Sequence, residues 1–173
     1  IAFGHQPDPR LDEGARRSDV SVVPTDGSKT VRPLVTLGGT DGSPAWSPDG
    51  RWIAFESSGD EPQRVGLADV FVVASAGGEP RKLADSHDRS GGMTGWARDG
   101  SVVYLAESVG TTRHLTALPV DGGPLRQVTS GAGVLGGQSM AADAALMAFT
   151  WQDSGTPADV YVSPVSRWAP RKL

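Results

Sequence analysis

The sequence has no cysteine, few aromatic residues and no long apolar run. The lack of cysteine excludes disulfide scaffolds and thiolate metal sites. Aromatic residues make up 6% of the 173 residues. Gly, Pro and Ser interrupt the uncharged stretches well before the ~18 apolar residues that a membrane-spanning helix needs. The formal net charge of −4, from 16 Lys and Arg against 20 Asp and Glu, argues against nucleic acid or an anionic membrane as the main partner.

Glycine and proline are abundant instead. The chain holds 23 Gly and 13 Pro among its 173 residues, about a fifth of the total, where roughly an eighth is usual. They recur at matching points of an internal repeat. The segment Trp46–Phe55, with the sequence WSPDGRWIAF, returns as WARDGSVVYL at Trp96–Leu105 and less closely at Met140–Phe149. Repeats of this length are typical of propellers and solenoids.

Two further sequence motifs recur with the same spacing as this repeat. A short motif of the type Asp-Val-Phe-Val begins at Asp19, Asp69, His114 and Asp159, in steps of 50, 45 and 45 residues. Each copy ends in a similar tail, at 32–34, 81–83, 126–128 and 171–173. Three markers with one period over four copies indicate four structural repeats.

Each repeat predicts four short strands. Its apolar runs are four to six residues long and are bounded by turn residues. The segment Ser47-Pro48-Asp49-Gly50 predicts a tight hairpin turn, because Pro presets φ, Asp suits the next position and Gly takes the left-handed conformation. A four-stranded antiparallel unit of about 45 residues is typical of a β-propeller blade. The expected fillers between adjacent blades are Trp46, Trp96 and Met140.

The last repeat departs from this turn. Ala144 stands where the other copies have Gly50 and Gly100. An alanine at positive φ costs on the order of 1 kcal/mol, so we expect this hairpin to use another turn type.

The strand count is one short of a whole number of blades. Ile1-Ala2-Phe3 aligns with the second strand of a blade, so the first blade lacks its first strand. The sequence therefore predicts an all-β propeller fragment of about 3.75 blades and 15 strands. The expected boundaries are 1–36 for the incomplete blade and 37–86, 87–130 and 131–173 for the complete blades. Because an open arc leaves apolar faces exposed, we expect a part of a longer chain; a self-closed four-blade ring is the alternative.

Variable loops join the second and third strands of each repeat. They are expected at 4–18, 57–68, 108–113 and 152–158, as solvated loops on one propeller face. Within the first loop, Asp12–Arg17 is the one stretch expected to form a helical turn.

The repeat resembles a known superfamily. Asp41–Phe55 is similar to the blade motif shared by TolB-like propellers and the propellers of the prolyl oligopeptidase family of serine peptidases. WD-repeat proteins fit less well, since no Gly-His and Trp-Asp pair occurs. Asp69–Val73 with Gly77–Leu83, and Ser154–Val162 before the tail at 171–173, resemble the acylaminoacyl-peptidase-like branch.

This resemblance implies that the chain is half of a seven- or eight-bladed propeller, with an α/β-hydrolase domain after Leu173. The catalytic Ser, Asp and His of the family lie in that domain, so no catalytic, cofactor-binding or metal-binding residue is assigned here. The implied function is a non-catalytic segment that gates access of short or N-acylated peptides to the hydrolase domain. The implied partners are the rest of the propeller, the hydrolase domain and, through the parent enzyme, a peptide substrate. The alternative is a TolB-like scaffold that binds proteins without enzyme activity.

The location follows from the same analogy. A peptidase of this family is expected in the cytoplasm, and a TolB-like scaffold in the periplasm.

Individual residues offer few candidates for chemistry. Ser139, in Gly137–Ala141, resembles a nucleophile elbow, but it aligns with a blade strand and lacks the strand-to-helix turn of that motif. His114 is expected to begin a strand, His87 to lie in a polar connection that can reach the central opening, and His5 to be exposed in the first loop. None has metal-site spacing.

The acidic residues and two tryptophans complete the candidates. Asp8, Asp12 and Glu13 can bind a hard cation, but nearby arginines favour a self-compensated loop. Asp49 and Asp99 are expected to be turn residues, because Asp bonds nearby backbone groups there. Two tryptophans fall outside the repeat positions: Trp168 is a candidate surface contact or edge-packing residue, and Trp151 begins a loop.

Overall fold

The computed structural model describes residues 1–10, 16–60, 67–87 and 91–173. Within these residues the chain is all-β, without a helix, and the predicted total of 15 strands is confirmed. The strands are β1 (Ala2–His5), β2 (Asp19–Val22), β3 (Arg32–Val35), β4 (Asp41–Trp46), β5 (Trp52–Ser57), β6 (Asp69–Ala74), β7 (Arg81–Lys82), β8 (Gly92–Trp96), β9 (Val102–Val109), β10 (Thr112–Pro119), β11 (Arg126–Gln127), β12 (Gly133–Met140), β13 (Leu146–Asp153), β14 (Asp159–Pro164) and β15 (Arg171–Lys172). In this part of the chain no helix is long and apolar enough to cross a membrane.

The strands belong to two compact units, Ile1–Leu83 and Ala84–Leu173. The first unit holds a three-stranded sheet, β1–β2–β3, and a four-stranded sheet, β4–β5–β6–β7. In the second unit β8–β11 and β12–β15 form two antiparallel groups, and a parallel bridge between Arg113 and Val134 joins them into one sheet. We call the four groups blades 1 to 4, in chain order. The residue boundaries proposed from the repeat stay predictions.

Alternating apolar side chains build a core in each unit. In the first unit Val20 and Val22 of blade 1 pack against Ile53 and Phe55 of blade 2. In the second unit Leu115 of blade 3 packs in one cluster with the blade 4 residues Leu135, Met147 and Phe149. Strands with period-two alternation place such residues on one face, so the blades stack through apolar faces.

The hairpin between the first and second strands has the predicted chemistry. Gly50 has a φ of 70°, and its N–H donates to the carbonyl of Ser47 at 2.9 Å. Oδ1 of Asp49 accepts the N–H of Arg51 at 3.0 Å and the hydroxyl of Ser47 at 2.6 Å. These bonds close the turn, and Asp99 bonds the N–H of Ser101 in the same way at 3.0 Å.

The expectation of another turn type at Ala144 is wrong. Ala144 has a φ of 53°, and its N–H donates to the carbonyl of Ala141 at 2.8 Å, as at the matching glycines. Asp143 bonds the N–H of Ala145 at 3.0 Å. The strand pairing on both sides and the Asp143 bond hold the turn, and together they outweigh a strain on the order of 1 kcal/mol.

Three of the predicted loops are shorter in the structure. The third shrinks to a two-residue turn, Gly110–Thr111, because β9 and β10 pair as far as Val109 and Thr112 and Gly110 takes a φ of 59°. His114 is consequently the third residue of β10 and not its first. At the fourth loop β13 runs on to Asp153, and at the first loop β1 includes Gly4 and His5.

Each first strand contains a one-residue bulge at the same place in the repeat. The register shifts between Gly42 and Ala45 in β4, between Met93 and Gly95 in β8, and between Gly136 and Ser139 in β12. A bulge opposes two residues to one and sharpens the local twist.

The three expected blade fillers differ in burial. Trp96 is buried and Met140 is packed against the core of the second unit. Trp46 is 42% exposed and lines an open groove with Val22 and Val23 of blade 1. The strand of Met140 contacts β8, whereas blade 1 has no first strand among the described residues to face Trp46. Trp46 therefore fills the space between blades 1 and 2 only in part.

Candidate functional site

Polar and aromatic side chains gather where the second strand of each blade ends and the third begins. The same repeat position supplies a directly opposed pair in every blade: His5 and Asp19, Ser57 and Asp69, Glu107 and His114, Trp151 and Asp159. We call this end of a blade its corner. Opposed residues on antiparallel strands lie about 4.5–5.5 Å apart at Cβ and interact directly, so the corners are the candidate functional positions of the fold.

The corner of blade 2 is built around Asp41. This side chain is 0% exposed. Its Oδ1 accepts the Ser57 hydroxyl at 2.6 Å, and its Oδ2 accepts the backbone N–H of Leu37 at 2.9 Å. The Asp41 backbone binds Ser18 of the preceding blade twice, each time at 2.8 Å. The carboxylate therefore ties the connection before β4 to the end of β5.

Burial gives Asp41 unusual electrostatics. It raises the pKa of Asp41 above its ordinary value, and the carboxylates of Asp19 and Asp60 add to the rise. The hydrogen bonds from Ser57 and Leu37 oppose it. A hydroxyl next to a buried carboxylate lacks the histidine that activates a serine nucleophile, so this corner is suited to holding structure.

The corner of blade 3 is built around Glu107. Its side chain is 0% exposed, and it accepts two bonds from His87: one from the backbone N–H to Oε2 at 2.8 Å and one from Nδ1 to Oε1 at 3.1 Å. His87 is itself 45% exposed. Gly91 lies against the stem of this side chain, since an added Cβ would come to 3.0 Å from the Glu107 Cβ and 2.5 Å from Cδ1 of Leu105.

A second histidine lies on the adjacent strand. His114 is buried, and its Nδ1 lies 3.1 Å from Oγ1 of Thr129, which also accepts the N–H of Leu115 at 3.0 Å. The Thr129 hydroxyl can pair with Nδ1 as donor or as acceptor, so it fits either tautomer of a neutral ring. Burial lowers the pKa of His114 below its ordinary value. The Trp151 ring lies 6.1 Å from the imidazole, between centroids.

Arg113 joins blades 3 and 4 beside this corner. Its guanidinium donates to the carbonyl of Leu135 at 3.1 Å and to that of Ala106 at 3.3 Å. Sequence reasoning missed this residue and also missed Asp41 and Glu107. Alignment of the repeats was the signal that could have found Asp41 and Glu107. Asp41 and Gly91 are equivalent positions in this alignment, and so are Ser57 and Glu107, which lie opposite them.

The Glu107–His87 pair is the site's chemically distinctive feature. A buried carboxylate that orients a histidine through Nδ1 is the base-and-orienter part of a catalytic triad. Among the described residues no serine hydroxyl bonds to the Nε2 of His87. The described residues also include no group of three or more His, Asp or Glu side chains placed to hold a metal ion.

The other sequence candidates lie apart from the corners or have structural partners. Ser139 is exposed on β12, opposite Ala148, within a strand as expected. Asp8 binds Arg10 at 2.6 Å, which lowers the pKa of Asp8 to about 2 and agrees with a self-compensated loop. Asp12 and Glu13 lie outside the described residues, as does most of the expected helical turn.

His5 and Trp151 are placed differently from their predictions, whereas Trp168 is placed as an edge-packing residue, one of its two predicted roles. His5 is half-buried at the end of β1, where Nε2 lies 2.9 Å from the Ser21 hydroxyl, and is not an exposed loop residue. Trp151 is a strand residue of β13, and its ring lies 5.5 Å from that of Trp168. Trp168 also lies 5.2 Å from Phe149, so it packs at the edge of blade 4.

Relatives by sequence are peptidases. No family model matches the chain. Dipeptidyl-peptidase 5 of Aspergillus oryzae is 32% identical over 114 residues, which cover 60% of this chain and 16% of that protein. Dipeptidyl-peptidase 5 of Trichophyton equinum is 27% identical over 112 residues, which cover 59% of this chain and 15% of that protein. The match thus spans about a sixth of the length of these relatives.

Solved structures show the fold. TolB from Acinetobacter baumannii superposes with a TM-score of 0.71 over 91% of this chain and 38% of that chain, at 15% identity. A puromycin-hydrolyzing peptidase from Mycobacterium tuberculosis superposes with a TM-score of 0.70 over 91% of this chain and 26% of that chain, at 16% identity. The dipeptidyl-peptidase relatives leave the acylaminoacyl-peptidase-like branch a prediction. The chain is a β-propeller segment related to peptidases.

Proposed function

We propose that this chain is the non-catalytic propeller segment of a serine peptidase and gates the access of short or N-acylated peptides to a hydrolase domain outside residues 1–173. The observation that carries the proposal is the 27–32% identity to dipeptidyl-peptidases over 112–114 residues. Structural likeness alone is insufficient, since one fold hosts many functions. In this proposal the acyl transfer to serine and then to water takes place in the hydrolase domain.

The gating part of the proposal is supported by the corners. The loops between second and third strands and the connections that enter the first strands of blades 2 and 3 lie at the corners, and a gate needs such segments held at fixed positions. In the first unit Asp41 fixes the end of β5, and the Ser57 hydroxyl accepts the N–H of Gly59 at 3.0 Å. In the second unit Glu107 fixes residue 87 next to the entry of β8. Fixed loop ends suit a filter that selects by size.

The first experiment locates the nucleophile. We would express the full reading frame that contains this chain, label it with a fluorophosphonate probe and map the modified serine by mass spectrometry. The proposal expects hydrolysis of dipeptidyl or N-acylated anilides, with the label outside residues 1–173. Ser139→Ala is expected to keep full activity and labelling. A label on Ser139 contradicts the non-catalytic assignment.

The second experiment tests gating in the same full-length protein. Glu107→Ala releases His87 and loosens the entry of β8, so cleavage of a 30-residue peptide is expected to rise relative to cleavage of a dipeptide anilide, roughly severalfold. Glu79→Ala, at an exposed residue of blade 2, is the control and keeps the wild-type ratio. An unchanged ratio in a folded Glu107→Ala protein contradicts gating.

The second candidate function is a TolB-like protein-binding scaffold, which the TM-score of 0.71 to TolB favours. The two candidates also differ in location, since the peptidase proposal places the protein in the cytoplasm and the scaffold places it in the periplasm. A full-length protein that carries a secretory leader and shows no fluorophosphonate labelling supports the scaffold.

A further inference from the structure

An arginine of the fourth strand has different contacts in the two units. In the first unit the guanidinium of Arg32, in blade 1, donates to the carbonyls of Ser75 and Ala76 of blade 2, at 2.8 and 3.3 Å. These carbonyls belong to the turn that follows the third strand of blade 2. The matching turn of blade 4 is Val165-Ser166, because the strand pairing places both turns directly after the third strand. The two turns can therefore be compared.

In the second unit no arginine binds this turn. Arg126 of blade 3 has the position of Arg32 in the repeat. Within the described part of the chain, however, Arg126 has no hydrogen-bond or ion-pair partner. Next to the turn lies an open cavity of about 540 Å³ between the hairpins of blades 3 and 4, which is in the size range of small-molecule sites. It lies at the hairpin ends of the strands, and the corners lie at the other ends.

Two residues that line this cavity break the repeat. Tyr104 stands where each of the other three blades has alanine, and Arg98 stands where blades 2 and 4 have Pro48 and Ala142. Among the described residues neither the Tyr104 hydroxyl nor the Arg98 guanidinium has a hydrogen-bond partner. The hydroxyl is open to solvent, because no buried side-chain oxygen in the same residues lacks a partner. Blade 3 thus brings unpaired donors to the cavity that the other blades lack.

Arg126 lies on the same face of blade 3 as Tyr104. Ala117 pairs with Tyr104 on one side and with Arg126 on the other, and directly opposed residues share a face of the sheet. Because Ala117 is small, the two longer side chains can approach each other across it. Burial raises the pKa of Tyr104 and the carboxylate of Asp99 adds to the rise, while Arg126 opposes it. The hydroxyl is therefore protonated at neutral pH and able to donate.

The charges around the cavity favour a monoanion. Arg98 and Arg126 supply two positive charges, and Asp99 supplies one negative charge. The carboxylate of Asp99 already accepts the N–H and the hydroxyl of Ser101, at 3.0 and 2.6 Å, and these bonds lower its pKa. A dianion would be repelled by this fixed charge, whereas a single carboxylate can accept from a guanidinium and a phenol together.

The rest of the lining is apolar. Ala144 and Ala145 of the blade 4 hairpin and Val165 of its last turn border the cavity, and Val165 is 5% exposed. Small aliphatic side chains leave room for a ligand body and favour an apolar one. The cavity therefore combines donors for one anionic group with a surface for a small apolar group.

We propose that this cavity binds a small organic monocarboxylate. Its oxygens accept from Arg98 and Tyr104, and its apolar part packs on the alanines of the blade 4 hairpin. Arg126 is placed to turn toward the same carboxylate. The matching place in the first unit offers no such site, because its arginine, Arg32, is bound to the turn. The proposal is independent of peptidase function.

The test follows alanine methyl groups in the full-length protein. Alanine is labelled with ¹³C at Cβ, and benzoate is added as the probe, with benzamide as its uncharged analogue. Benzoate is expected to shift the methyl resonances of Ala144 and Ala145 and to saturate with a Kd on the order of 1 mM. Benzamide is expected to bind at least ~5-fold more weakly. Ala54, which is buried in blade 2, is the internal control and keeps its resonance.

Two substitutions test the polar contacts. Arg98→Ala removes the guanidinium and is expected to weaken benzoate binding ~10-fold. Tyr104→Phe removes only the hydroxyl and is expected to weaken it ~3-fold. Arg51→Ala is the matched control, because it removes an exposed arginine from the equivalent hairpin of blade 2 and leaves the Kd unchanged. Alanine resonances outside the cavity confirm that each variant is folded.

Four results overturn the proposal. Equal binding of benzoate and benzamide contradicts recognition of a carboxylate, and so does an Arg98→Ala protein that binds benzoate as tightly as the wild type. Inorganic phosphate that binds more tightly than benzoate contradicts the preference for a monoanion. A full-length protein in which benzoate shifts neither Ala144 nor Ala145 shows that the cavity is not a ligand site.

Discussion

The buried carboxylates Asp41 and Glu107 lie at the equivalent corners of blades 2 and 3, but they come from different strands of the blade. In blade 2 the buried carboxylate, Asp41, is on the first strand and faces the hydroxyl of Ser57 on the second. In blade 3 the first-strand position is Gly91, and the carboxylate, Glu107, comes from the second strand. The two opposed positions on the first and second strands therefore hold one buried carboxylate in each of these blades. The residue opposite the carboxylate is small in both, Ser57 in blade 2 and Gly91 in blade 3.

The two corners differ in where their hydrogen bonds lead. The bonds of Asp41 end at Ser57, which is buried, and at the half-buried Leu37. The bonds of Glu107 end at His87, which is 45% exposed. A buried acid with buried partners is a structural tie. A buried acid with an exposed partner links the interior to solvent, as Glu107 does through His87 and Asp41 does not. Asp69, on the third strand of the blade 2 corner, has an exposed partner of another kind, Lys82 at 2.8 Å, so the oriented imidazole at the surface distinguishes the Glu107 site from the Asp41 site.

The largest expected effect tests the closed corner. Asp41→Ala leaves the Ser57 hydroxyl and the Leu37 N–H without a partner, so the free energy of unfolding of the first unit is expected to fall by about 2–4 kcal/mol. Urea titration followed by hydrogen exchange, which reports each unit separately, measures the loss. The matched control is Glu79→Ala, an exposed change in the same blade. A loss as small as that of the control would show that water replaces the missing acceptor.

The next effect tests the open corner. Glu107→Ala is expected to cost about 1–2 kcal/mol in the second unit, because the exposed His87 can bind water in place of the carboxylate. Faster amide exchange at His87 is expected as well, since its N–H loses a 2.8 Å bond. Glu107→Gln keeps one acceptor oxygen and should lie between Ala and wild type. An equal or larger cost than that of Asp41→Ala contradicts the distinction between closed and open corners.

A pH titration separates the units further. The pKa of the buried His114 is lowered, so below about pH 6.5 the unfolded chain binds more protons than the folded chain. The free energy of unfolding of the second unit is therefore expected to fall as the pH drops from 7 through this range. His114→Gln should flatten that slope while the first unit keeps its own, as measured by urea midpoints at several pH values. A slope unchanged by His114→Gln contradicts the buried neutral ring.

The smallest expected effect concerns the turns. Ala144→Gly removes the strain of a positive φ, which stabilises the folded chain, and it increases the conformational entropy of the unfolded chain, which opposes folding. The first effect is the larger, so a net stabilisation of about 0.5 kcal/mol is expected in the second unit. Gly100→Ala makes the reverse change in the same unit, where Gly100 has a φ of 71°, and is expected to destabilise it by about 1 kcal/mol. Thermal midpoints of the two variants compare the pair. Shifts of the same sign in both variants contradict this assignment of strain.

The fold was predictable from the sequence because local turn chemistry repeats. Asp49-Gly50 and Asp99-Gly100 mark the hairpins, and the spacing of the motifs marks the strands, so the strand count needed no tertiary information. Ala144 was mispredicted because strand pairing on both sides of a turn overrides the preference of one residue. The third loop was mispredicted for a similar reason, since the pairing of β9 and β10 continues to Val109 and Thr112.

The corners were not predictable in the same way. The burial of Asp41 and Glu107 depends on contacts with residues distant in sequence. Asp41 and Ser57 are 16 residues apart. Glu107 and His87 are 20 residues apart. In the sequence, an acidic residue at the end of a strand is equally compatible with a buried position and with a solvated loop. The contacts of the folded blade decide between the two.

The bulges bear on how the repeat arose. Asp41 and Trp46 are five positions apart, an odd spacing that places two residues on opposite sides of a regular strand. They nevertheless pair with Ser57 and Ile53, which lie on the same face of β5. The extra residue between Gly42 and Ala45 makes this possible, because it puts Asp41 and Trp46 on the same face of β4. The first strands of blades 3 and 4 carry the same insertion. One insertion that preceded duplication accounts for all three more simply than three separate gains, and it makes the ancestral blade one residue longer than a regular strand requires.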